Sequence, residues 1–229
     1  VESLLKSGEK TIKLVPIKIE QDDIVLDKLE IISFDTEKYL SLLNYHELYI
    51  KDLLEEFDYK EKQRLRSEIG VVFQGSALYD TMNIVENVKF PLQMFSDMSN
   101  ADAEKRAREV LDRVEIARTA LKKYPSEISG GMQKRVAIAR AIVNNPKYLF
   151  ADEPNSGLDP KTALVIDQLI YDITKEYNTT TVVNTHDMNS VMEIGDKLAF
   201  IYKGQKVWEG SKDDILTSDH KELNEFVFA

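Results

Sequence analysis

The chain has 229 residues, of which 43% are hydrophobic and 31% charged, and it contains no cysteine. That length and apolar content suffice for a buried core in one domain with lobes or in two small domains. The formal charge of −10 argues against a nucleic-acid partner, because phosphate backbones require clustered Lys and Arg side chains, and the lack of cysteine excludes disulfides, thiolate metal sites and cysteine nucleophiles.

The start of the chain shows no secretory signal, and no apolar run approaches the roughly 20 residues that a membrane-spanning helix needs. We therefore expect a cytoplasmic protein that is peripheral to a membrane only through a partner.

The first 56 residues predict mainly β-structure. Residues 12–19 alternate apolar and polar side chains around Pro16, as in an edge strand. Residues 24–34 and 39–43 are two further strand-like stretches, whereas 46–57 could be a strand or the start of an amphipathic helix.

From residue 61 onward, strands alternate with helices, which predicts an α/β fold with a mainly parallel sheet covered on both faces by helices. Apolar spacing and capping residues predict helices over 61–67, over 83–95 with a kink at Pro91, and over 101–114 after a cap at Ser99 or Asn100. They also predict a helix over 131–143 after a cap at Ser129. A further helix is predicted from Pro160, with Ala163, Ile166, Ile170 and Ile173 on one stripe. Short apolar runs predict strands over 69–74, 148–151 and 180–183, then a hairpin of 198–202 and 206–208, and a last short helix with a capping box of Ser211 and Asp214.

Four short motifs follow one another in the second half of the chain, in an order and at a spacing that are hard to obtain by chance. They are residues 129–135 (SGGMQKR), 148–154 (YLFADEP), 156–159 (SGLD) and 184–187 (NTHD).

Asp152 and Glu153 come directly after an apolar strand, and ligands in open α/β sheets bind at the carboxyl ends of the strands. One carboxylate there can hold Mg²⁺ through water, and the next can orient or deprotonate an attacking water. A solvated acidic turn before Pro154 is the alternative for the dipeptide alone.

Ser129, Gly130 and Gly131 open a helix, and a helix N-terminus presents free N–H groups and a positive dipole end to a phosphate. Taken alone, this segment could be an ordinary capped helix start. The residues Gln133–Arg135 are unusual in a first turn, where acidic side chains are favoured, and they suit a surface that receives an anion.

Three polar residues stand at other strand ends and turns. His186 follows a strand and can hydrogen-bond a terminal phosphate, Gln74 ends another strand, and Asp159 precedes the helix that begins at Pro160. Each could be an ordinary structural residue by itself. Together with the carboxylates they would line a metal–phosphate site at one edge of the sheet.

These motifs make the chain from about Phe57 to Gly210 resemble the ATPase of an ABC transporter, with a P-loop NTPase-like fold. The matching segments are Gln74 at the Q-loop, Ser129–Gln133 as the signature, Tyr148–Glu153 as Walker B, Ser156–Asp159 as the D-loop and His186 as the switch histidine.

The resemblance implies ATP and Mg²⁺ as cofactors, with ATP held between two subunits. Asp152 and Gln74 would bind Mg²⁺, Glu153 would be the general base, and His186 would sense the γ-phosphate. ATP held by the facing subunit would be contacted by the signature and D-loop residues Ser129, Gly130, Gly131, Gln133 and Asp159.

The amino-acid sequences of residues 73–80 and 129–135 are similar to those in the ATPase subunit of Mla-type phospholipid transporters. This similarity implies a homo- or heterodimer of ATPase subunits under a membrane permease, with a lipid-binding partner and no nucleic acid, and with residues 76–95 facing the permease. The resemblance also implies one domain over 1–229, made of an N-terminal antiparallel β portion over 1–56, a helical subdomain over 76–128 and a core over 129–229.

The family pattern G-x-x-x-x-G-K-[ST], which grips the phosphates of ATP, does not occur in the chain. Gly8 is the single glycine between Val1 and Ile69, and residues 8–11 (GEKT) are the nearest fragment. In the register that the N-terminal strands suggest, the loop and its helix are absent near Asn44 and Tyr45.

Two hypotheses follow. The chain is either an ATP-hydrolysing subunit of a lipid-type ABC transporter, or a catalytically degenerate subunit that lends Ser129–Gly131 to a complete partner. Asp152, Glu153 and His186 favour the first, and the missing loop favours the second. A soluble ABC protein of DNA repair or translation is disfavoured by the acidic charge. We expect the chain alone to turn over ATP very slowly or not at all.

Overall fold

The computed structural model describes Lys18–Glu20, Asp23–Val25 and residues 59–227. Of these, residues 59–181 belong to one compact unit, and 182–227 belong to another together with the first two strands. The expectations for the remainder of the first 58 residues, including Gly8 and the gap near Asn44, lie outside the described residues.

The first unit alternates helices and strands, as the sequence predicts. Its elements are helix α1 (Tyr59–Ser67), strand β3 (Ile69–Val72), helices α2 (Ile84–Phe95), α3 (Asn100–Arg113) and α4 (Gly130–Ile142), strand β4 (Tyr148–Asp152), helix α5 (Pro160–Glu176) and the start of strand β5 (Thr180–Asn184), with short 3-10 turns at Arg118–Ala120 and Pro125–Glu127.

The strands form a three-stranded sheet in the order β3–β4–β5. β3 and β4 run parallel, with Ile69 opposite Tyr148 and Val72 opposite Ala151. The carboxyl ends of β3 and β4 therefore meet at one edge, which is where a parallel sheet binds its ligands.

Helix α4 lies close against β3, because a Cβ added at Gly70 would overlap the carbonyl oxygen of Ala141. Four consecutive residues of α4, Val136 to Ala139, are completely buried, so the middle of this helix is covered on every side. α2, α3 and α4 contact one another through fully buried aliphatic side chains such as Val88 and Val110. Each such side chain contributes about 1.5–3 kcal/mol by leaving water.

Local sequence signals explain the helix starts. Ser99 caps α3, Ser129 caps α4 and Asp159 caps α5, each accepting a backbone N–H three residues ahead. Pro91 lies inside α2, and the kink expected there stays a prediction.

The second unit contains strands β1 (Lys18–Glu20) and β2 (Asp23–Val25), helix α6 (Met188–Ile194), strands β6 (Leu198–Tyr202) and β7 (Gln205–Gly210), and helices α7 (Lys212–Ile215) and α8 (Lys221–Val227). β1 pairs antiparallel with β2, and β6 with β7.

The β6–β7 hairpin turns at Lys203 and Gly204, which have φ values of 51° and 77°. Two successive positive φ values give the turn whose twist matches a hairpin, and glycine adopts them without steric cost. The hairpin packs on α6, α7 and α8 through a core of Val191, Leu198, Phe200, Ile215 and Leu223. As predicted, Ser211 and Asp214 form a capping box at α7.

These parallel and antiparallel sheets with their helices make an α/β fold, as the sequence predicts. No helix among the described residues combines the length and apolar character needed to cross a membrane.

Candidate functional site

The candidate site in the first unit lies just beyond the carboxyl ends of β3 and β4. Val72 is opposite Ala151 in the sheet, so Gln74 and Glu153 each stand two residues beyond that pair. The parallel register thus brings two predicted site residues, 79 positions apart in sequence, to the same edge.

The side chain of Lys134, from the second turn of α4, joins these two strand ends. Its Nζ donates hydrogen bonds to the carbonyl oxygens of Gln74 and of Glu153, the latter at 3.4 Å. The side chain is buried, with 5% of its surface exposed. Burial lowers the pKa of Lys134, and the negative charges of Glu153 and Asp152 oppose that change.

Ser156 of the D-loop closes the arrangement into a ring. The Gln74 amide Nε2 donates to Ser156 Oγ at 3.2 Å, and the Ser156 backbone N–H donates to the Glu153 carbonyl at 3.1 Å. Lys134, Gln74, Ser156 and Glu153 therefore form a closed ring of four hydrogen bonds, which we call the Lys134 ring. The ring connects the segments that the sequence predicts as Q-loop, signature helix, Walker B and D-loop.

Glu153 has a left-handed backbone with φ of 44°. A non-glycine residue pays for that conformation with steric strain, and such strain persists where surrounding contacts hold it. The two bonds that Glu153's carbonyl accepts, from Lys134 and Ser156, are contacts of this kind.

The signature end of α4 lies against the first turn of α5. A Cβ added at Gly131 would stand 2.9 Å from Thr162 Cγ2, and one added at Gly130 would stand 3.8 Å from Leu158 Cδ2. Ser129 is exposed, and its Oγ accepts the Met132 N–H at 3.3 Å. The predicted ATP-contacting residues of the signature and D-loop thus neighbour one another.

Asp159 is exposed in that neighbourhood and caps α5. It accepts the Thr162 backbone N–H at 3.1 Å and the Thr162 hydroxyl at 2.5 Å. These bonds, the hydroxyl first, lower the pKa of the Asp159 carboxyl. The carboxylate is therefore held ionised in a fixed orientation.

The three residues expected to offer a surface to an anion bond to protein atoms instead. Lys134 is buried in its ring, so the expectation is wrong for that side chain. Gln133 donates to the Pro125 carbonyl at 2.9 Å, and Arg135 donates to Glu115 Oε2 at 2.7 Å. These side chains fix α4 against the segments before it, and the contact of Gln133 with nucleotide stays a prediction.

The segment after Gln74 is held by two residues whose role no sequence motif indicates. Arg140 donates to the carbonyls of Ser76 at 2.8 Å and Ala77 at 2.6 Å, both of which have positive φ values. Asn87, with no exposed surface, accepts the Tyr79 N–H at 2.8 Å and donates to the Tyr79 carbonyl at 3.0 Å. Neither residue has a local sequence signal, because both act on residues brought close by the fold.

His186 lies in the second unit, two residues after the end of β5, and is exposed. Thr185 Oγ1 accepts the Asp187 N–H at 3.0 Å, and Asp187 in turn caps α6, so the histidine stands in a hydrogen-bonded turn. Its role as the switch histidine stays a prediction.

The chemistry of the donors at the edge of the sheet fits Mg²⁺. Asp152 supplies a carboxylate at the end of β4, and Gln74 supplies an amide oxygen whose Nε2 is already used on Ser156. Mg²⁺ prefers oxygen ligands and is commonly bound by one or two carboxylates with waters and phosphates. No larger cluster of His, Asp or Glu that could hold a metal alone occurs in the part of the chain that the structure describes.

Comparisons with known proteins show the family of the chain. Residues 41–156 match the family model of the ABC transporter. The chain is 38% identical over 166 residues to the methionine import ATP-binding protein MetN 1 of Pseudomonas fluorescens, covering 72% of this chain and 49% of that protein. It is 35% identical over 168 residues to the probable ribonucleotide transport ATP-binding protein mkl of Mycobacterium leprae, covering 73% and 48%.

A solved dimeric structure of an ATP-binding cassette, in a post-hydrolysis state bound to ADP and Pi, matches the fold with a TM-score of 0.67 at 29% identity. The match covers 88% of this chain and 97% of that one. By contrast, the chain spans about half the length of the curated relatives it matches.

The fold is that of an ATP-binding cassette. The chain belongs to the ABC transporter family. These two relatives are named for methionine import and for ribonucleotide transport. The finer resemblance to Mla-type phospholipid ATPases therefore stays a proposal.

Proposed function

We propose that this chain is the ATP-binding subunit of an ABC transporter, acting with a second ATPase subunit beneath a membrane permease. The Lys134 ring is the observation that supports the proposal, because its hydrogen bonds join the segments predicted as Q-loop, signature helix, Walker B and D-loop. Asp152 and Gln74 would hold Mg²⁺, which neutralises phosphate charge when bound.

In this proposal Glu153 orients or deprotonates the attacking water, and the exposed Ser129 faces nucleotide held by the other subunit. His186 contacts the γ-phosphate. The left-handed backbone of Glu153 supports its part, since strained conformations cluster at functional sites.

The first test is calorimetry of Mg-ATP binding to the purified, folded chain, followed by phosphate release in the wild type and in Glu153→Gln. Micromolar binding, with any turnover lost in Glu153→Gln, supports an ATPase complete in this chain. Turnover that survives in Glu153→Gln contradicts the general-base assignment.

A second candidate is a subunit that does not hydrolyse ATP and lends its signature to a complete partner. The lack of G-x-x-x-x-G-K-[ST] in the sequence favours it. Its test adds the chain in equal amount to a complete related cassette: hydrolysis should rise with the wild type and not with Ser129→Arg, which places a bulky side chain at the contact. No rise with either protein contradicts this candidate.

The most specific part of the proposal is the transported substrate. The amino-acid sequence of residues 73–80 and 129–135 supports a phospholipid as the transported substrate and a lipid-binding partner. The names of the relatives instead favour methionine or ribonucleotides as the substrate. ATPase activity of the transporter reconstituted with its permease decides between them. Stimulation by phospholipid and not by methionine supports the lipid proposal, and the reverse contradicts it.

A further inference from the structure

Lys134 is unusual because its ammonium group is buried. Lysine is almost never fully buried unless paired, since transfer of a charge from water is costly. Here 5% of the residue is exposed, and the two groups that receive its Nζ are main-chain carbonyls and not carboxylate oxygens. A buried charge directed at two carbonyls implies that the position of those carbonyls matters.

The two carbonyls belong to the two loops that carry the site. Gln74 is the predicted Mg²⁺ ligand, and Glu153 is the predicted general base. The sheet holds β3 and β4 in register only as far as Val72 and Ala151, so the residues beyond depend on other contacts. Lys134 supplies one contact that touches both loops at once.

The chemistry of lysine suits this task. An ammonium group on a four-carbon stem offers three N–H donors that can reach carbonyls in different directions. A hydrogen bond to a charged donor is roughly twice as strong as one between neutral groups. The bond also reaches the Glu153 carbonyl, whose residue has the strained φ of 44°.

We propose that Lys134 is a positioning residue that fixes the Q-loop and the general-base turn relative to each other through the main-chain carbonyls of Gln74 and Glu153. It acts through those residues and contacts neither water nor nucleotide in the reaction. The inference rests on the proposed ATPase function for its kinetic consequence, but the coupling of the two loops is a property of the chain itself.

The variants for the test are Lys134→Met, which keeps most of the length of the side chain and removes its donors, and Lys134→Arg, which keeps the charge and the donors. Arg106→Met is the matched control, because Arg106 donates to the Val143 carbonyl at the other end of α4, at 3.2 Å. Thermal melting establishes that each variant is folded.

The first readout is amide hydrogen exchange of the full chain without nucleotide. The informative amides are Ser76, which donates to the Phe73 carbonyl, and Ser156, which donates to the Glu153 carbonyl, with buried Ala137 as the internal reference. Relative to Ala137, we expect Lys134→Met to accelerate exchange at both amides about tenfold or more. Lys134→Arg should restore slow exchange, and Arg106→Met should change neither amide.

The second readout is steady-state kinetics in whichever preparation of the wild type hydrolyses ATP. We expect Lys134→Met to lower kcat about tenfold or more with KM for ATP within about twofold, and Lys134→Arg to recover most of kcat. If the wild type hydrolyses ATP in no preparation, the proposed ATPase function is contradicted. Hydrogen exchange by itself then tests whether Lys134 couples the two loops. Unchanged exchange at either serine, no restoration by Lys134→Arg, or an unchanged kcat in Lys134→Met overturns the inference.

Discussion

Asn87 makes several hydrogen bonds from a side chain with no exposed surface. Its Nδ2 lies 3.0–3.1 Å from the carbonyl oxygens of Tyr79, Met82 and Asn83, which share its two N–H donors, and its Oδ1 accepts the Tyr79 N–H. A buried polar group that loses its partner costs about 1–3 kcal/mol, and Asn87 satisfies several such groups at once. The loop between Gln74 and α2 therefore depends on this amide as well as on Arg140.

We expect Asn87→Ala to reduce the free energy of unfolding by about 2–3 kcal/mol, because the carbonyls and the Tyr79 N–H would lose a buried partner. Urea denaturation followed by circular dichroism measures this loss. Asn100→Ala is the control: Asn100 is exposed and accepts one bond from Lys89 at 3.0 Å, so a change of less than about 0.5 kcal/mol is expected. Equal effects in the two variants would contradict the importance given to Asn87.

Asp159 should make the stability depend on pH in the acid range. Its pKa in the folded chain lies below the ordinary carboxyl value of 3.8, chiefly because the Thr162 hydroxyl and N–H donate to it. In the unfolded chain the carboxyl takes up its proton at higher pH than in the folded chain. Its contribution is therefore present above pH 3.8 and is lost as the pH falls through the folded value.

The prediction is that wild type and Asp159→Asn differ in unfolding free energy at pH 5, and that the difference shrinks as the pH is lowered below 3.8. Denaturant unfolding at several pH values measures it. Thr162→Val, which removes the hydroxyl donor, should shift the NMR titration of the Asp159 carboxyl upward. A difference independent of pH, or an unshifted titration, would show that these bonds do not hold the carboxylate.

The sequence predicts residues whose effect is local and misses those whose effect depends on the fold. Ser99, Ser129 and Asp214 act on backbone groups within three residues, so their capping is visible in the pattern. Asn87 and Arg140 act on a loop whose position is set by packing. The sequence predicts Lys134 as a surface cation, because no neighbouring residue indicates that the ends of β3 and β4 lie against its side chain.

At the scale of elements, α4 is the central member of the first unit. Its N-terminus carries the signature, Lys134 reaches the Q-loop and Walker B carbonyls, and Arg140 holds the next part of the same loop. Its spacing in the sequence predicts the helix within one residue at each end. The sequence pattern does not predict the complete burial of residues 136–139, because a helix with alanine at 137, 139 and 141 can equally well be exposed.

The approach of α4 to β3 depends on Gly70. A Cβ there would overlap the Ala141 carbonyl oxygen, in the last turn of α4, and stand 3.2 Å from Pro146 Cγ, so the backbone itself would have to shift. We expect Gly70→Ala to reduce the unfolding free energy by about 1–3 kcal/mol, as overpacking does. Thermal or urea unfolding measures the loss.

Gly75→Ala is the matched control, since nothing lies within 4 Å of the position where its Cβ would stand. Its stability should stay within about 0.5 kcal/mol of the wild type. If Gly70→Ala is as stable as Gly75→Ala, α4 and β3 can separate at little cost, and the dependence of their close approach on Gly70 is wrong.

At the scale of the whole molecule, charge separates the transporter hypothesis from a soluble ABC protein of DNA repair or translation. The formal charge is −10, from 30 Lys and Arg against 40 Asp and Glu. Nucleic-acid affinity comes largely from release of counterions when basic side chains neutralise phosphates, so it requires a concentration of positive charge. In the first unit, several of the basic side chains that the structure describes are already used internally, among them Lys134, Arg140 and Arg106.

We therefore expect no binding of a DNA duplex of about 20 base pairs at about 150 mM salt, with any dissociation constant above about 100 μM. Fluorescence anisotropy with labelled duplex and single-stranded RNA measures it, and a basic DNA-binding protein verifies the probe. Micromolar binding that weakens steeply with added salt would place a cationic surface on the chain in spite of its net charge, and would restore the nucleic-acid hypothesis. Absence of binding leaves the acidic surface consistent with a subunit whose anionic ligand is recognised at one local site and whose other contacts are with protein.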